Sequence, residues 1–261
     1  DGRLLGFDLD PQALALASQR LSLFAGRFTL FQASYTTLLN ALQTQGWQAV
    51  DGIVLDLGVS SMELDTPARG FSFQHDGPLD MRFSPTAPTT AADLVNTLEE
   101  TELADLLWRY GEEKQSRRIA RAIIAARPLH TTRQLADLIR NLLGQGRLHP
   151  ATRTFQALRI AVNDELRSLE TTLPNAIQAL APGGRLAVIS FHSLEDRIVK
   201  QFLRREASHC ICPPEQPICT CQHRATVQLL TKHAIIPAPA EISQNPRSRS
   251  AKLRVAEKLL A

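Results

Sequence analysis

Two aspartates, each at the end of an apolar run, mark where this chain could do chemistry. In Asp51-Gly-Ile-Val-Leu-Asp-Leu-Gly-Val-Ser-Ser61, a stretch too apolar to alternate ends in Asp56 and then turns through small residues and two hydroxyls. Such a run predicts a strand buried on both faces of a parallel sheet, and ligands of these sheets sit beyond the carboxyl ends of the strands. There Asp56 can hold an amino group, either a cofactor's or a substrate base's, while Gly58 lets the backbone come close to a ligand. Local side-chain bonds within the turn are the competing reading. The second run, Leu4-Leu-Gly-Phe7, leads into Asp8, where an acid accepts hydrogen bonds from a ribose diol. Asp10, before Pro11, is placed to cap a helix. Two acidic strand ends in one sheet point to a nucleotide-like cofactor.

A third acid–base candidate lies in Ser190-Phe-His-Ser-Leu-Glu-Asp-Arg197, at another strand-to-helix turn. His192 could exchange a proton there, and Ser193 with Asp196 could cap the helix. The chain has no Gly-x-Ser-x-Gly elbow, which weighs against a serine hydrolase. Cys210-Ile-Cys212 and Cys219-Thr-Cys221 suggest zinc more than disulfides. Their Cys-x-Cys spacing departs from the usual Cys-x₂₋₄-Cys of zinc sites, so reduced thiols in an exposed loop remain the alternative and no metal ligand is assigned.

The elements that must carry these groups alternate as in a doubly wound sheet. A helix is expected over 11–24, with Pro11 in its first turn. Strands follow at 28–32 and 50–57, with a helical stretch at 35–42 between them. Residues 58–90 read as a long irregular segment rich in Gly, Pro, Ser and Asp, uncommon in a compact domain unless functional. Four helices are expected at 91–96, 99–110, 112–126 and 131–143, with no strand among them, which predicts an inserted helical subdomain. A single long helix over 152–180 stops at Pro182-Gly-Gly184. A strand at 185–191, a helix at 194–206 and a final strand pair at 226–230 and 252–257 complete the chain.

The 261 residues are 44% hydrophobic and 21% charged, ordinary for a soluble globular protein, and no apolar run approaches a membrane span. A cytoplasmic location is expected. A net charge of +3 says little by itself, but arginines cluster at Arg117, Arg118, Arg121 and Arg127. A second group holds His149, Arg153 and Arg159, and a third Arg247, Arg249, Lys252 and Arg254. Such clusters can neutralise a nucleic-acid backbone or simply cover solvated helix faces.

The gathered blocks resemble the RsmH (MraW) family of 16S ribosomal RNA cytosine-N4 methyltransferases. They are Asp56-Leu-Gly-Val-Ser-Ser61, Arg69-Gly-Phe-Ser-Phe73, Asp76-Gly-Pro-Leu-Asp-Met-Arg82, His149-Pro-Ala-Thr-Arg-Thr-Phe-Gln-Ala-Leu-Arg159, Ala181-Pro-Gly-Gly-Arg-Leu186, Ser190-Phe-His-Ser-Leu-Glu-Asp-Arg-Ile-Val-Lys200 and Asn245-Pro-Arg-Ser-Arg-Ser-Ala-Lys-Leu-Arg254. The resemblance implies a class I S-adenosylmethionine (AdoMet)-dependent methyltransferase fold, an α/β Rossmann-like sheet with an inserted all-helical subdomain. Residues 1–70 and 159–261 would form the core, and 71–158 the insertion that recognises RNA. It further implies that Asp8 holds the AdoMet ribose, Tyr35 flanks the adenine, and Asp56 lies near the methionine amino group. Glu63 stands where many members have glutamine and is a cofactor contact by analogy. The family's glycine-rich AdoMet loop would lie ahead of Asp1, so an amino-terminally extended form is expected to bind AdoMet better than the chain as given.

The implied reaction is methylation of a cytosine N4 in the decoding region of the small ribosomal subunit. Asp56 is the first candidate to accept the departing proton, with Ser60 and His192 behind it. Expected partners are 16S ribosomal RNA and a possible second copy of the chain, with neither DNA nor membrane. Rival readings are an NAD-linked Rossmann enzyme, an RNA-binding assembly factor without catalysis, and a DNA amino-methyltransferase. The last would carry an Asp/Asn/Ser-Pro-Pro-aromatic motif where this chain has Asp56-Leu-Gly-Val.

Overall fold

In the computed structural model, residues 2–146, 149–213, 215–216 and 218–260 are described. In chain order the elements are β1 (Leu4–Asp8), α1 (Pro11–Arg20), β2 (Phe28–Gln32), α2 (Leu38–Thr44), β3 (Val50–Asp56), α3 (Ser61–Asp65), α4 (Ala91–Thr97), α5 (Glu100–Gly111), α6 (Ser116–Ala125), α7 (Thr132–Leu143), α8 (Thr152–Asn163), α9 (Glu165–Ala179), β4 (Leu180–Ser190), α10 (Ser193–Glu206), β5 (Val227–Leu229), α11 (Pro239–Gln244) and β6 (Lys252–Lys258). They form two compact units, Asp1–Ser34 with Val59–Glu165 and Tyr35–Gly58 with Leu166–Ala261. None of the described helices is long and apolar enough to cross a membrane.

The first unit begins with a parallel β1-α1-β2 crossover, Leu4 opposite Phe28 and Asp8 opposite Gln32. Asp10 caps α1 by accepting from the Gln12 N–H at 2.8 Å, and Pro11 occupies the first turn where its missing N–H is harmless. The helices α4 to α8 then enclose a core in which Leu103, Leu107, Ile119, Ile123, Leu135 and Ile139 are fully buried. Thr90 and Thr131 start α4 and α7 with reciprocal capping boxes to Asp93 and Gln134.

The segment 59–90, expected to be irregular but opening with the short helix α3, is stitched into that core. Leu79 and Met81 are buried, a contribution of about 1.5–3 kcal/mol per side chain. The Leu79 N–H donates to the His130 carbonyl at 2.9 Å and the Met81 N–H to the Arg69 carbonyl at 3.0 Å. Phe71 stacks on Phe83 and Phe73 meets Phe155 edge-on.

The helix expected over 152–180 is broken. Asp164 takes a left-handed φ of 49° and separates α8 from α9. The cause is long-range: the Asn163 amide accepts from the Phe83 N–H at 2.8 Å and donates to the Met81 carbonyl at 2.7 Å, tying the end of α8 to the segment just described.

In the second unit β3 pairs parallel with β4, Asp56 opposite Ile189. β4 pairs antiparallel with β6, and β6 with β5, giving the order β3-β4-β6-β5. The fold is thus the expected α/β, with parallel strands and an all-helical block, but the described strands form two sheets, β1-β2 and β3-β4-β6-β5, so Asp8 and Asp56 do not end strands of one sheet as expected. One expectation about β3 fails. Val54 is 70% exposed while Leu55 is buried, so the alternating faces of β3 differ and only the one bearing Ile53 and Leu55 is packed within its unit.

Candidate functional site

In the first unit, the end of β1 presents Asp8 to solvent while Asp10 is turned inward. One Asp8 oxygen accepts from the Asp10 N–H at 2.8 Å. The Asp8 carboxyl lies above the usual aspartate range: the surrounding protein strips part of its hydration, and the bond from Asp10 offsets this only in part. Exposure and partial desolvation coexist because the residue surface is open while neighbouring atoms crowd the carboxyl, which suits an acceptor for ligand hydroxyls.

Asp10 does not serve only α1. Its second oxygen accepts from Arg69 Nη1. Arg69 Nη2 donates to the carbonyls of Arg82 and Phe83, both at 2.9 Å, and lies 3.7 Å from Glu63 Oε1. Glu63 is buried and closes a capping box at α3: its Oε2 accepts from the Ser60 N–H at 2.7 Å, and Ser60 Oγ accepts from the Glu63 N–H at 3.2 Å. Burial pushes the Glu63 carboxyl up, against the opposing pull of the Ser60 donors and Arg69. Ser60 and Glu63, expected as catalytic and cofactor groups, therefore spend these bonds on the turn itself.

In the second unit, Asp56 ends β3, and Gly58 follows with φ 89°, a conformation that a side chain strains. Asp56 is exposed, yet its carboxyl is raised, chiefly by lost hydration and secondly by the Glu195 carboxylate. Tyr35 lies half-buried in the turn ahead of α2.

His192 is the N-cap of α10, where Ser193 and Asp196 were expected to cap. Its Nδ1 accepts from the Glu195 N–H at 3.4 Å, and Glu195 Oε2 accepts from the Phe191 N–H at 2.8 Å and the His192 N–H at 3.3 Å. His192 Nε2 stands 3.1 Å from Glu195 Oε1 but without the direction of a hydrogen bond. Asp196 instead accepts from Arg254 Nε at 2.7 Å and Lys252 Nζ at 3.0 Å. A shallow cleft beside this turn is lined by Phe191, His192, Arg249 and Lys252.

The arginine clusters divide by use. Arg117, Arg118 and Arg121 are exposed on α6, although Arg121 faces Glu100 at 3.4 Å and Arg118 donates to the Leu142 carbonyl. Arg127 lies beyond α6 and is structural, donating to the Val95 and Leu98 carbonyls near the end of α4. Arg159 pairs with Glu165 through two bonds of 2.8 and 2.9 Å, and His149 stacks on Phe73. Sequence reasoning assigned no role to Arg69 or Glu195. The Glu195 signal was present, an acid three residues after the N-cap, but histidine is an unusual cap. Arg69 had no such signal, because its partner Asp10 is 59 residues away in the chain.

The profile of the MraW methylase family matches residues 1–259. The ribosomal RNA small subunit methyltransferase H of Dehalococcoides mccartyi is 53% identical over 261 residues, 99% of this chain and 75% of that protein. The protein of the same name from Thermomicrobium roseum is 52% identical over 263 residues, 99% of this chain and 81% of its own length. Among solved structures, an rRNA methylase from Streptococcus thermophilus aligns over 99% of this chain and 74% of that one, with 11% identity and a TM-score of 0.40. The match of the family profile along nearly the whole length, with relatives above half identity, shows that this chain belongs to the MraW methylase family.

Proposed function

We propose that this chain transfers the methyl group of AdoMet to the N4 amine of a cytosine in small-subunit ribosomal RNA. The observation that carries the reading is the family match over residues 1–259. Relatives of more than half identity named as small-subunit rRNA methyltransferases support the substrate. When bound, AdoMet supplies an electrophilic methyl on a sulfonium. The chain offers it a fitting acceptor: the exposed Asp8 carboxyl, raised and only partly used by Asp10, suits a ribose diol, with Tyr35 for the adenine.

Cytosine N4 is a poor nucleophile because its lone pair is delocalised into the ring. The chain must hold the amine in line with the methyl–sulfur bond, and such positioning can supply about 7–11 kcal/mol. Asp56 is the acceptor we assign to the amine N–H. It is exposed at a strand end, and its raised carboxyl makes it a better proton acceptor than an ordinary aspartate. Ser60 and His192 act as positioning residues, since each is engaged in a helix cap, and Glu63 supports the cofactor side through Arg69.

The helical block over 71–158 is the RNA-recognition part of this proposal, with Arg117 and Arg121 as phosphate contacts, and a flipped or single-stranded base as target. A cytoplasmic location and a homodimer belong to the same reading, the latter resting on Trp108, which is 57% exposed on α5.

The test is methyl transfer from isotope-labelled AdoMet to small-subunit RNA by the full-length protein, with the digested nucleosides identified by mass. N4-methylcytidine is the expected product. Asp8→Asn is expected to raise the KM for AdoMet about 10- to 100-fold, the loss of a charge-assisted hydrogen bond, whereas Asp56→Asn lowers kcat. Tight RNA binding without any methyl transfer would overturn the proposal.

A further inference from the structure

The segment joining α10 to β5 is closed at its base by the polypeptide. The Thr226 N–H donates to the Glu206 carbonyl at 2.8 Å, Thr226 Oγ1 donates to Glu206 Oε2 at 2.8 Å, and His223 Nε2 lies 3.0 Å from the Arg205 carbonyl. Its tip has no such support from apolar packing, since Ile211 and Ile218 are 39% and 74% exposed. Yet four cysteine sulfurs meet there. Those of Cys210, Cys212, Cys219 and Cys221 all lie within 4.8 Å of one another.

The separations discriminate between thiol chemistries. Cys210 and Cys219 sulfurs are 3.4 Å apart, Cys219 and Cys221 3.5 Å, and Cys221 and Cys210 3.8 Å. A disulfide would bring one pair to about 2.0 Å and leave the others apart. Four thiolates around a tetrahedral ion at about 2.3 Å place their sulfurs about 3.8 Å from each other. The three nearly equal edges follow the second pattern. Backbone N–H groups point at the sulfurs as well: Ile211 toward Cys221 and Cys212 toward Cys210, both at 3.4 Å. Such donors stabilise thiolate charge around a metal.

We infer that Cys210, Cys212, Cys219 and Cys221 bind one zinc ion, a structural site that holds the tip of this segment closed. Four sulfur ligands complete a tetrahedral shell, leaving no open position for catalysis. Binding releases the four thiol protons and leaves a centre of net charge −2, flanked in sequence by Arg204, Arg205, His209, His223 and Arg224. The His223 ring, bound to the Arg205 carbonyl, belongs to the base of the segment and is not a ligand. The spacing that counts against zinc in the sequence is accommodated because the sulfurs of the two Cys-x-Cys pairs meet across the segment, Cys210 with Cys219 at 3.4 Å and with Cys221 at 3.8 Å.

The experiment is metal analysis of the full chain purified without chelators, with thiols counted before and after a mercurial releases bound metal. The expected result is about one zinc per chain, four thiols that react only after release, and loss of the zinc in Cys210→Ser/Cys219→Ser. Cobalt exchanged into the wild-type protein should show the intense visible bands of a tetrahedral sulfur site, a readout that needs no variant to fold. Stripped of metal, the chain should be cut between residues 207 and 226 about tenfold faster by a protease. A chain that holds no zinc after incubation with it and keeps four reactive thiols overturns the inference. So does a chain with disulfides at these positions, and so does bound iron in place of zinc.

Discussion

Replacing Arg69 with alanine should destabilise the first unit about as much as truncating one of its fully buried core side chains. Arg69 reaches four groups at once: the Asp10 carboxylate, the carbonyls of Arg82 and Phe83, and Glu63 at 3.7 Å. The side chains are 15% exposed for Arg69, 3% for Asp10 and 6% for Glu63, so little solvent screens them and little water could replace the guanidinium. Removing one partner of a buried pair strands the other charge and costs about 3–5 kcal/mol, a large part of the roughly 5–15 kcal/mol that holds a typical domain folded. For a chain of this size that is a fall in Tm of about 6–20 °C. The assay is denaturant unfolding read through Trp108, which lies in the first unit, in a Trp47→Phe background. Arg69→Lys should fall between, keeping a charge but losing the fork that reaches several acceptors. Glu63→Gln added to Arg69→Ala should recover part of the loss by neutralising one stranded acid. A loss below about 1 kcal/mol for Arg69→Ala, the scale of exposed pairs, would refute the reasoning.

Acid should weaken the second unit through Asp196. Burial alone would raise its carboxyl, but the bonds from Arg254 and Lys252 outweigh it and hold it below the ordinary aspartate value of 3.8. Its stabilisation is therefore present above about pH 4 and is lost as pH falls through the depressed folded value. In unfolding titrations followed through Trp47, Asp196→Asn should be less stable at neutral pH and show a flatter acid limb; an unchanged acid limb would remove Asp196 from the account. Gly77→Ala should cost at least about 3 kcal/mol, because the added Cβ would fall 1.9 Å from the Pro67 carbonyl oxygen; near-wild-type stability by Trp108 fluorescence would show that the segment gives way cheaply. Arg117→Glu with Arg121→Glu should weaken RNA binding and reduce the salt dependence by about one to two phosphates' worth of slope. The same slope as wild type would place the RNA elsewhere.

What the sequence made legible is what short-range physics decides. The strand over residues 28–32 coincides with β2, the Asp10-Pro11 start of α1 holds, and the helix expected over 131–143 is α7, opened by Thr131 and Gln134. Each rests on residues within four positions of one another. The misses share the opposite property. Asp164 interrupts a helical pattern that is locally uninterrupted, because Asn163 finds its partners about 80 residues earlier, at Met81 and Phe83. Residues 59–90 have the composition of a surface loop, yet Leu79 and Met81 are core and Gly77 is packed against Pro67. No periodicity could reveal that, since the segment's burial is set by the helices around it. The candidate site divides the same way. The carboxylates at strand ends, Asp8 and Asp56, are visible because strand termini are visible. The residues that fix the surrounding turns, Arg69 and Glu195, act through bonds that only the folded chain defines. The four cysteines make the point most sharply. Read along the chain, their one-residue spacing argues against a metal, but the separations that matter to an ion are those between sulfurs, and these are near the edges of a thiolate tetrahedron. Ligand spacing in sequence is thus a proxy for the separation of the ligating atoms, and the proposed site rests on the latter.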